Sequence, residues 1–186
     1  PEKYRQRHAV GSQPAMGEEC TICFDTEPQL TGCACRNANR WRHIQCCIIQ
    51  AQALAWKQGW KWWYECQTCK QAFTGKTLSA LAEKWWAQVC TRDKRDDERL
   101  EAARNLASCL AYDGKEEEAE TMQRDVLAVR KSMHGAEHAA TLVAAKELAV
   151  HLYAQRKSAE AGVIFSEVLE VQKKVLGIEH PDTMET

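Results

Sequence analysis

Cys20-Thr-Ile-Cys23, Cys33-Ala-Cys35, His43-Ile-Gln-Cys46 and Cys66-Gln-Thr-Cys69 place eight soft-metal ligands within one stretch of chain. Nine residues separate the first pair from the second, seven the second from the third, and nineteen the third from the fourth. A Cys-x2-Cys pair sets two thiolates on one tight turn, close enough to share a tetrahedral Zn2+ at ~2.3 Å per Zn–S bond. One such pair also arises in redox sites. Four pairs, one of them containing a histidine, supply two complete four-ligand shells, and the stretch reads as a module built on two structural Zn2+ ions.

The bulk composition agrees with a small module joined to something larger. The chain has 186 residues, 45% of them hydrophobic, enough for one ordinary domain or two small ones. Its formal net charge is −1, so no global field favours nucleic acid or a membrane surface. The charge is uneven. Residues 1–91 hold 11 Lys+Arg against 7 Asp+Glu, and residues 92–186 hold 14 against 19. A bound zinc with three Cys and one His carries −1, and a four-Cys site −2, which brings the first half to about +1. Ten cysteines could form a secreted disulfide framework. The pairing with His43, the helical second half and the absence of a signal peptide favour a reducing compartment, the cytoplasm or the nucleus. No apolar run approaches ~18 residues, so no membrane span is expected. The start at Pro1 and the stop inside a repeat at Thr186 predict a longer parent protein.

Residues 1–17 are polar, with Gly11, Pro14 and Gly17, and read as a disordered tail. Residues 18–75 form the zinc module, too short for a self-sufficient core without metal. Within it His43 to about Gln58 reads as a helix, because Cys47, Ile48, Ala51, Leu54 and Ala55 share one face and Gly59 ends it. Seven tryptophans lie between positions 41 and 86 and none after. Most are expected to build the core where aliphatic area is scarce, leaving one or two for a partner. Residues 76–94 form a connecting or capping helix, with Leu78, Leu81, Trp85, Trp86 and Val89 on its apolar face. Gly75-Lys76-Thr77 is not a phosphate loop, because the opening glycine of that motif would fall at Lys70.

From about residue 95 the sequence repeats with a period of 42: Leu106 returns as Leu148, Leu110 as Leu152, Ala119 as Ala161 and Leu127 as Leu169. Gly135-x2-His138-x2-Thr141 returns as Gly177-x2-His180-x2-Thr183. Each unit reads as two helices. The first helices carry Leu100, Ala103, Leu106, Ala107 and Leu110, then Leu142, Ala145, Leu148, Ala149 and Leu152. The second carry Ala119, Met122, Val126, Val129 and Met133, then Ala161, Ile164, Phe165, Val168 and Val175. Matched alanines allow close helix approach, and Asp113-Gly114 marks the first hairpin turn. Residues 95–186 thus hold two full units and the start of a third. His134, His138, His151 and His180 read as turn and helix-surface residues rather than metal ligands, since no Cys or carboxylate cluster recurs with them.

The repeating segment resembles tetratricopeptide repeats of the kinesin-light-chain variety, on its period and on the Gly177-Ile-Glu-His-Pro-Asp-Thr183 run. The resemblance implies an α-solenoid whose first helices line a groove for a substrate or adaptor protein, with Asn105 at a groove position and Glu147 in its place one unit later. The zinc stretch resembles RING-CH fingers, on Cys33-x-Cys35, the seven residues to His43 and His43-x2-Cys46. Tyr64, two residues before Cys66, is the one feature shared with PHD fingers. The RING-CH resemblance implies a cross-brace: Cys20, Cys23, His43 and Cys46 on the first zinc; Cys33, Cys35, Cys66 and Cys69 on the second. Cys47, Cys90 and Cys109 are left as packing residues.

The same resemblance implies ubiquitin-ligase activity by positioning, since closed zinc shells activate no water and no residue is catalytic in its own right. Ubiquitin-conjugating enzyme and ubiquitin would be the partners. Ile22 matches the family's apolar contact and Lys70 its basic residue after the last Cys. Gln50 stands where the family places Trp, with Trp56 or Trp62 as substitutes, and Gln67 replaces a proline. The alternative reading is a non-catalytic scaffold, an inactive RING or a PHD-like peptide reader. The expected architecture is mainly α, a small RING-like zinc cross-brace followed by a solenoid of helical hairpins.

Overall fold

A computed structural model describes residues 30–32 and 41–186. The chain divides into two compact units, Pro1–Gln88 and Val89–Thr186. The tail expected over residues 1–17 lies outside the described residues.

In the first unit, β1 (Leu30–Gly32) pairs antiparallel with β2 (Trp41–His43) in the register Leu30↔His43, Thr31↔Arg42, Gly32↔Trp41. His43 ends β2 and caps α1 (Ile44–Gln58) with extended backbone. The helix buries Cys47, Ile48, Ala51 and Ala55, the face expected from spacing, while Leu54 is only half-buried. Gly59, at φ 89°, donates its N–H to Ala55 O at 3.0 Å and ends the helix in a conformation glycine adopts freely. A 3-10 turn, Trp60–Trp63, follows. The chain then doubles back. Phe73 N–H donates to Tyr64 O at 2.8 Å and Cys66 N–H to Gln71 O at 2.8 Å, closing a tight turn over Cys66–Lys70. Next is α2 (Gly75–Val89). Trp63 stacks on Trp85 with ring centroids 5.9 Å apart and planes within 4°, and Tyr64 leans on the same ring. Trp62, Phe73 and Leu81 are buried too. Aromatic rings therefore fill this core, with Trp60 and Trp86 left half-exposed.

The second unit holds α3 (Asp97–Tyr112), α4 (Glu116–His134), α5 (Ala139–Ala154), α6 (Ser158–Val175) and the short α7 (Pro181–Glu185). α3 and α5 start 42 residues apart, as do α4 and α6. Each helix packs on the next in sequence. Asp96 caps α3 by accepting from Arg99 N–H at 2.8 Å, and His138 caps α5 by accepting from Ala140 N–H at 3.2 Å. Ala107, Ala149, Ala119 and Ala161 are at most 1% exposed, so the matched alanines lie in the packed faces of the helices, where a small side chain permits close approach. Leu148, Leu152 and Ala161 form a core cluster with Leu127, Ile164 and Phe165 packed against it. Among the described residues no helix is long and apolar enough to cross a membrane.

Three positions differ from the sequence pattern. Gln123 and Gln172 are buried on the second helices, where only apolar residues were expected. They fall four residues after Ala119 and Val168, on the same helical line, so geometry buries them whatever their polarity. Val175 was expected in the core but is 52% exposed, because it is the last residue of α6.

The hairpin turns also differ between units. Gly114 has φ 81° and its counterpart Arg156 φ 66°, in turns with matching hydrogen bonds, Lys115 N–H to Leu110 O and Lys157 N–H to Leu152 O. A side chain in the left-handed region costs about 1 kcal/mol. Arg156→Gly is therefore expected to raise the urea midpoint of the second unit slightly, the gain partly offset by the looser unfolded chain, whereas Gly114→Ala lowers it. A lowered midpoint in Arg156→Gly, or a raised one in Gly114→Ala, would show that the two turns are not equivalent.

Candidate functional site

The start of α1 brings two of the expected zinc ligands together. His43 sits at the end of β2 and Cys46 one helical turn on, and Cys46 Sγ lies 3.7 Å from His43 Nδ1. Two ligands on one tetrahedral zinc, at ~2.3 Å for sulfur and ~2.0–2.1 Å for nitrogen, are separated by about 3.6 Å. The pair therefore fits two corners of a shared shell, with Nδ1 as the histidine donor. The other pair is held by the turn at Cys66–Lys70. Lys70 N–H donates to Cys66 O at 2.9 Å, which folds Cys69 back beside a fully buried Cys66. Cys20, Cys23, Cys33, Cys35 and Ile22 lie outside the described residues. Each expected shell thus has two ligands within the description, and no group of three metal-capable side chains occurs among the described residues. Cys47, adjacent to Cys46, is buried at 3% exposure as a packing residue.

The expected contact residues beside this centre are arranged in an unexpected way. Gln50 Nε2 donates to Gln67 Oε1 at 2.9 Å, so the two positions that depart from the RING pattern bind each other and link α1 to the Cys66–Cys69 turn. Trp62 is buried, with Lys61 Nζ and Lys70 Nζ each 4.9 Å from its ring centroid. Trp56 belongs to α1, and its side chain is outside the description.

On the repeats, Asn105 and Glu147 occupy equivalent positions of α3 and α5 but neither is an open hydrogen-bonding group. Asn105 Nδ2 donates to Glu101 O of its own helix at 2.9 Å. Glu147 Oε1 accepts from Arg104 Nη1 at 2.5 Å, and Arg104 also pairs with Glu101. Burial opposes the charge on Arg104, but Glu101 and Glu147 outweigh it and hold the guanidinium pKa above its ordinary value. Burial pushes the Glu147 carboxyl up, while Arg104 draws it down. The Glu101–Arg104–Glu147 bridge ties the first helices of the two units. Beside it lies a cavity of about 180 Å³, walled by Leu100, Val126, Ala140, Val143 and Ala144, with Glu101, Arg104 and Arg130 at its polar edge. Val143 and Val150 on α5, Tyr153 after them and Tyr112 on α3 are exposed apolar side chains. Sequence reasoning missed Arg104. Its repeat counterpart is Lys146, next to Glu147, so the ion pair joins residues 43 apart rather than 42 and escapes a search on the period.

His151, one turn after Glu147, is half-buried, and its Nδ1 is buried without a hydrogen-bond partner among the described residues. Burial holds its pKa below the ordinary value of 6.5. The unfolded chain then takes up the proton more readily than the folded one, so stability is full above about pH 6.5 and falls as the pH drops below it. His151→Gln is expected to flatten this slope between pH 7.5 and 5.5 in urea titrations; an unchanged slope would place the proton uptake elsewhere.

Comparison with known proteins supports the repeat geometry. A tetratricopeptide repeat family model matches residues 99–140 and 141–182. A solved structure from Podosopora anserina, described as kinesin light chain nearly identical TPR-like repeats, superposes with a TM-score of 0.56 at 22% identity. The match covers 76% of this chain and 61% of that one. No curated protein matches the sequence. Two hairpins of equal period, each matched by the family model, give residues 99–182 the fold of two tetratricopeptide-like repeats.

Proposed function

We propose that this chain is a protein-interaction scaffold in which a RING-CH-type zinc finger over residues 18–75 is joined to repeats that hold a partner protein. Tetratricopeptide repeats point to a protein–protein interaction role. The observation that carries the reading is the first-helix face of the repeats, where Val143 stands exposed at the cavity between the two repeats and Val150 and Tyr153 are exposed further along the same helix. In the finger, Cys20, Cys23, His43 and Cys46 would hold one Zn2+ and Cys33, Cys35, Cys66 and Cys69 the second. The 3.7 Å spacing of His43 and Cys46 supports the first of these. Bound zinc would supply folding energy only, because four protein ligands fill each shell. Thiolate ligands suit a reducing compartment, the cytoplasm or the nucleus. Val143→Glu in the intact chain is expected to abolish capture of the repeat partner; an identical set of captured proteins would rule out this face.

Ligase activity is the second reading, favoured by Lys70, which follows the last ligand in a left-handed conformation (φ 57°) with its ammonium over Trp62. Ile22 and Trp56 would meet the conjugating enzyme, since Trp62 is buried, and Lys70 would face ubiquitin. The Gln50–Gln67 hydrogen bond weighs against it, since it puts polar, mutually satisfied amides where the family places Trp and Pro. Discharge of ubiquitin-loaded conjugating enzymes onto free lysine separates the two. A scaffold leaves the rate equal to that of Ile22→Ala across a broad panel; acceleration by the wild type alone establishes the ligase.

A further inference from the structure

The first unit carries a second recognition feature that depends on neither ligase activity nor the repeats. Lys61 leaves the 3-10 turn and Lys70 leaves the Cys66–Lys70 turn, and both ammonium groups converge on the ring of Trp62, 4.9 Å from its centroid. Both lysines are exposed, and among the described residues no carboxylate pairs with either. The indole face attracts a cation, but two like charges brought to one ring repel each other. Lys70 also holds its left-handed backbone without glycine. Trp62 is 6% exposed, and its Nε1–H is buried with no acceptor. Every side-chain polar group of this cluster is therefore a donor, and among the described residues none is matched by an acceptor.

We infer that Lys61, Lys70 and Trp62 form a docking site for an acidic protein segment, whose carboxylates sit between the two ammonium groups. The surrounding charge does not oppose it: residues 41–88 hold six Lys+Arg (Arg42, Lys57, Lys61, Lys70, Lys76, Lys84) against two acids (Glu65, Glu83), and the balance stays at about +1 when both zinc shells are counted. Nucleic acid fits less well. Single strands are held by stacking bases on aromatic faces, and Trp62 is too buried to offer one. A polyanion with a charge every ~1.7 Å also needs a long cationic track, and residues 92–186 carry 19 acids against 14 bases. Two lysines suit two carboxylates.

The test uses the intact zinc-loaded chain and a fluorescein-labelled hexaglutamate peptide, read by anisotropy at low salt. The Lys61→Gln/Lys70→Gln double variant is expected to bind about tenfold more weakly. Lys76→Gln/Lys84→Gln removes the same charge from exposed positions elsewhere in the unit and is expected to change binding by less than about twofold. Lys70→Gly guards against misfolding, because it relaxes the left-handed position and so keeps the turn. It is expected to retain native tryptophan emission and still lose affinity. Three results would each overturn the site: no binding by the wild type, equal losses in the two double variants, or full affinity in Lys70→Gly. Tighter binding of a labelled oligothymidylate than of hexaglutamate would reassign it to nucleic acid.

Discussion

Cys66→Ser is expected to unfold the first unit while leaving most of the helical signal of the second intact. Cys66 is fully buried, its backbone anchors the turn that carries Cys69, and its thiolate would be one of four on the second zinc. Zinc in small fingers contributes ~10–16 kcal/mol of apparent binding energy, more than the core of a unit this small can replace. That core is chiefly Trp63 on Trp85 with Trp62, Phe73 and Leu81. The tryptophans make the result easy to read. All seven lie between positions 41 and 86, so tryptophan emission reports the first unit alone. Far-ultraviolet circular dichroism reports mainly α3–α6. Emission should shift to that of solvent-exposed indole in Cys66→Ser, while the 222 nm signal loses the share of α1 and α2 and keeps the larger share of α3–α6. Cys47→Ser, at a buried cysteine next to Cys46 but outside the proposed ligand set, should keep the zinc content of the wild type and native emission. Native emission in Cys66→Ser would remove Cys66 from the ligand set.

The second large effect lies in the repeats. Leu152→Ala should cost about 2–5 kcal/mol, since Leu152 is fully buried with Leu148 and Ala161 and leaves a cavity when truncated. Leu110 is its counterpart one unit earlier but only half-buried, so Leu110→Ala should cost clearly less. The asymmetry has a physical source. A repeat is stabilised by its neighbours, and Leu152 is covered by the cluster of Leu127, Ile164 and Phe165. Urea unfolding followed at 222 nm measures both, and tryptophan emission should not respond to either. Equal costs would mean that burial at these sites is shared more evenly than the packing indicates.

Much of the repeat fold was legible because it rests on short-range signals. The period of 42, the glycines at 135 and 177 and the Asp113-Gly114 turn mark helix ends directly. The paired alanines at 107/149 and 119/161 mark close approach. What escaped depends on neighbours that are distant in sequence. Gln123 and Gln172 are polar by type but buried by position on a packed helix. Arg104 meets Glu147 only once α3 and α5 lie side by side. That ion pair changes the reading of the groove, because Asn105 and Glu147 are both engaged within the protein and the exposed apolar side chains of α5 offer the more accessible face. Spacing picks out the eight candidate ligands, and of these the described residues hold His43, Cys46, Cys66 and Cys69; the neighbours in the contact patch were not legible. Spacing gives no hint that Gln50 would bond Gln67, or that Lys61 would join Lys70 over Trp62.

Metal content of the purified chain tests the organisation of the first unit most directly. Zinc per chain, measured by plasma emission on protein prepared without chelator, should be two. His43→Ala and Cys69→Ser should each fall short of two, since they interrupt different shells. One zinc or none in the wild type would contradict the paired shells around His43, Cys46, Cys66 and Cys69.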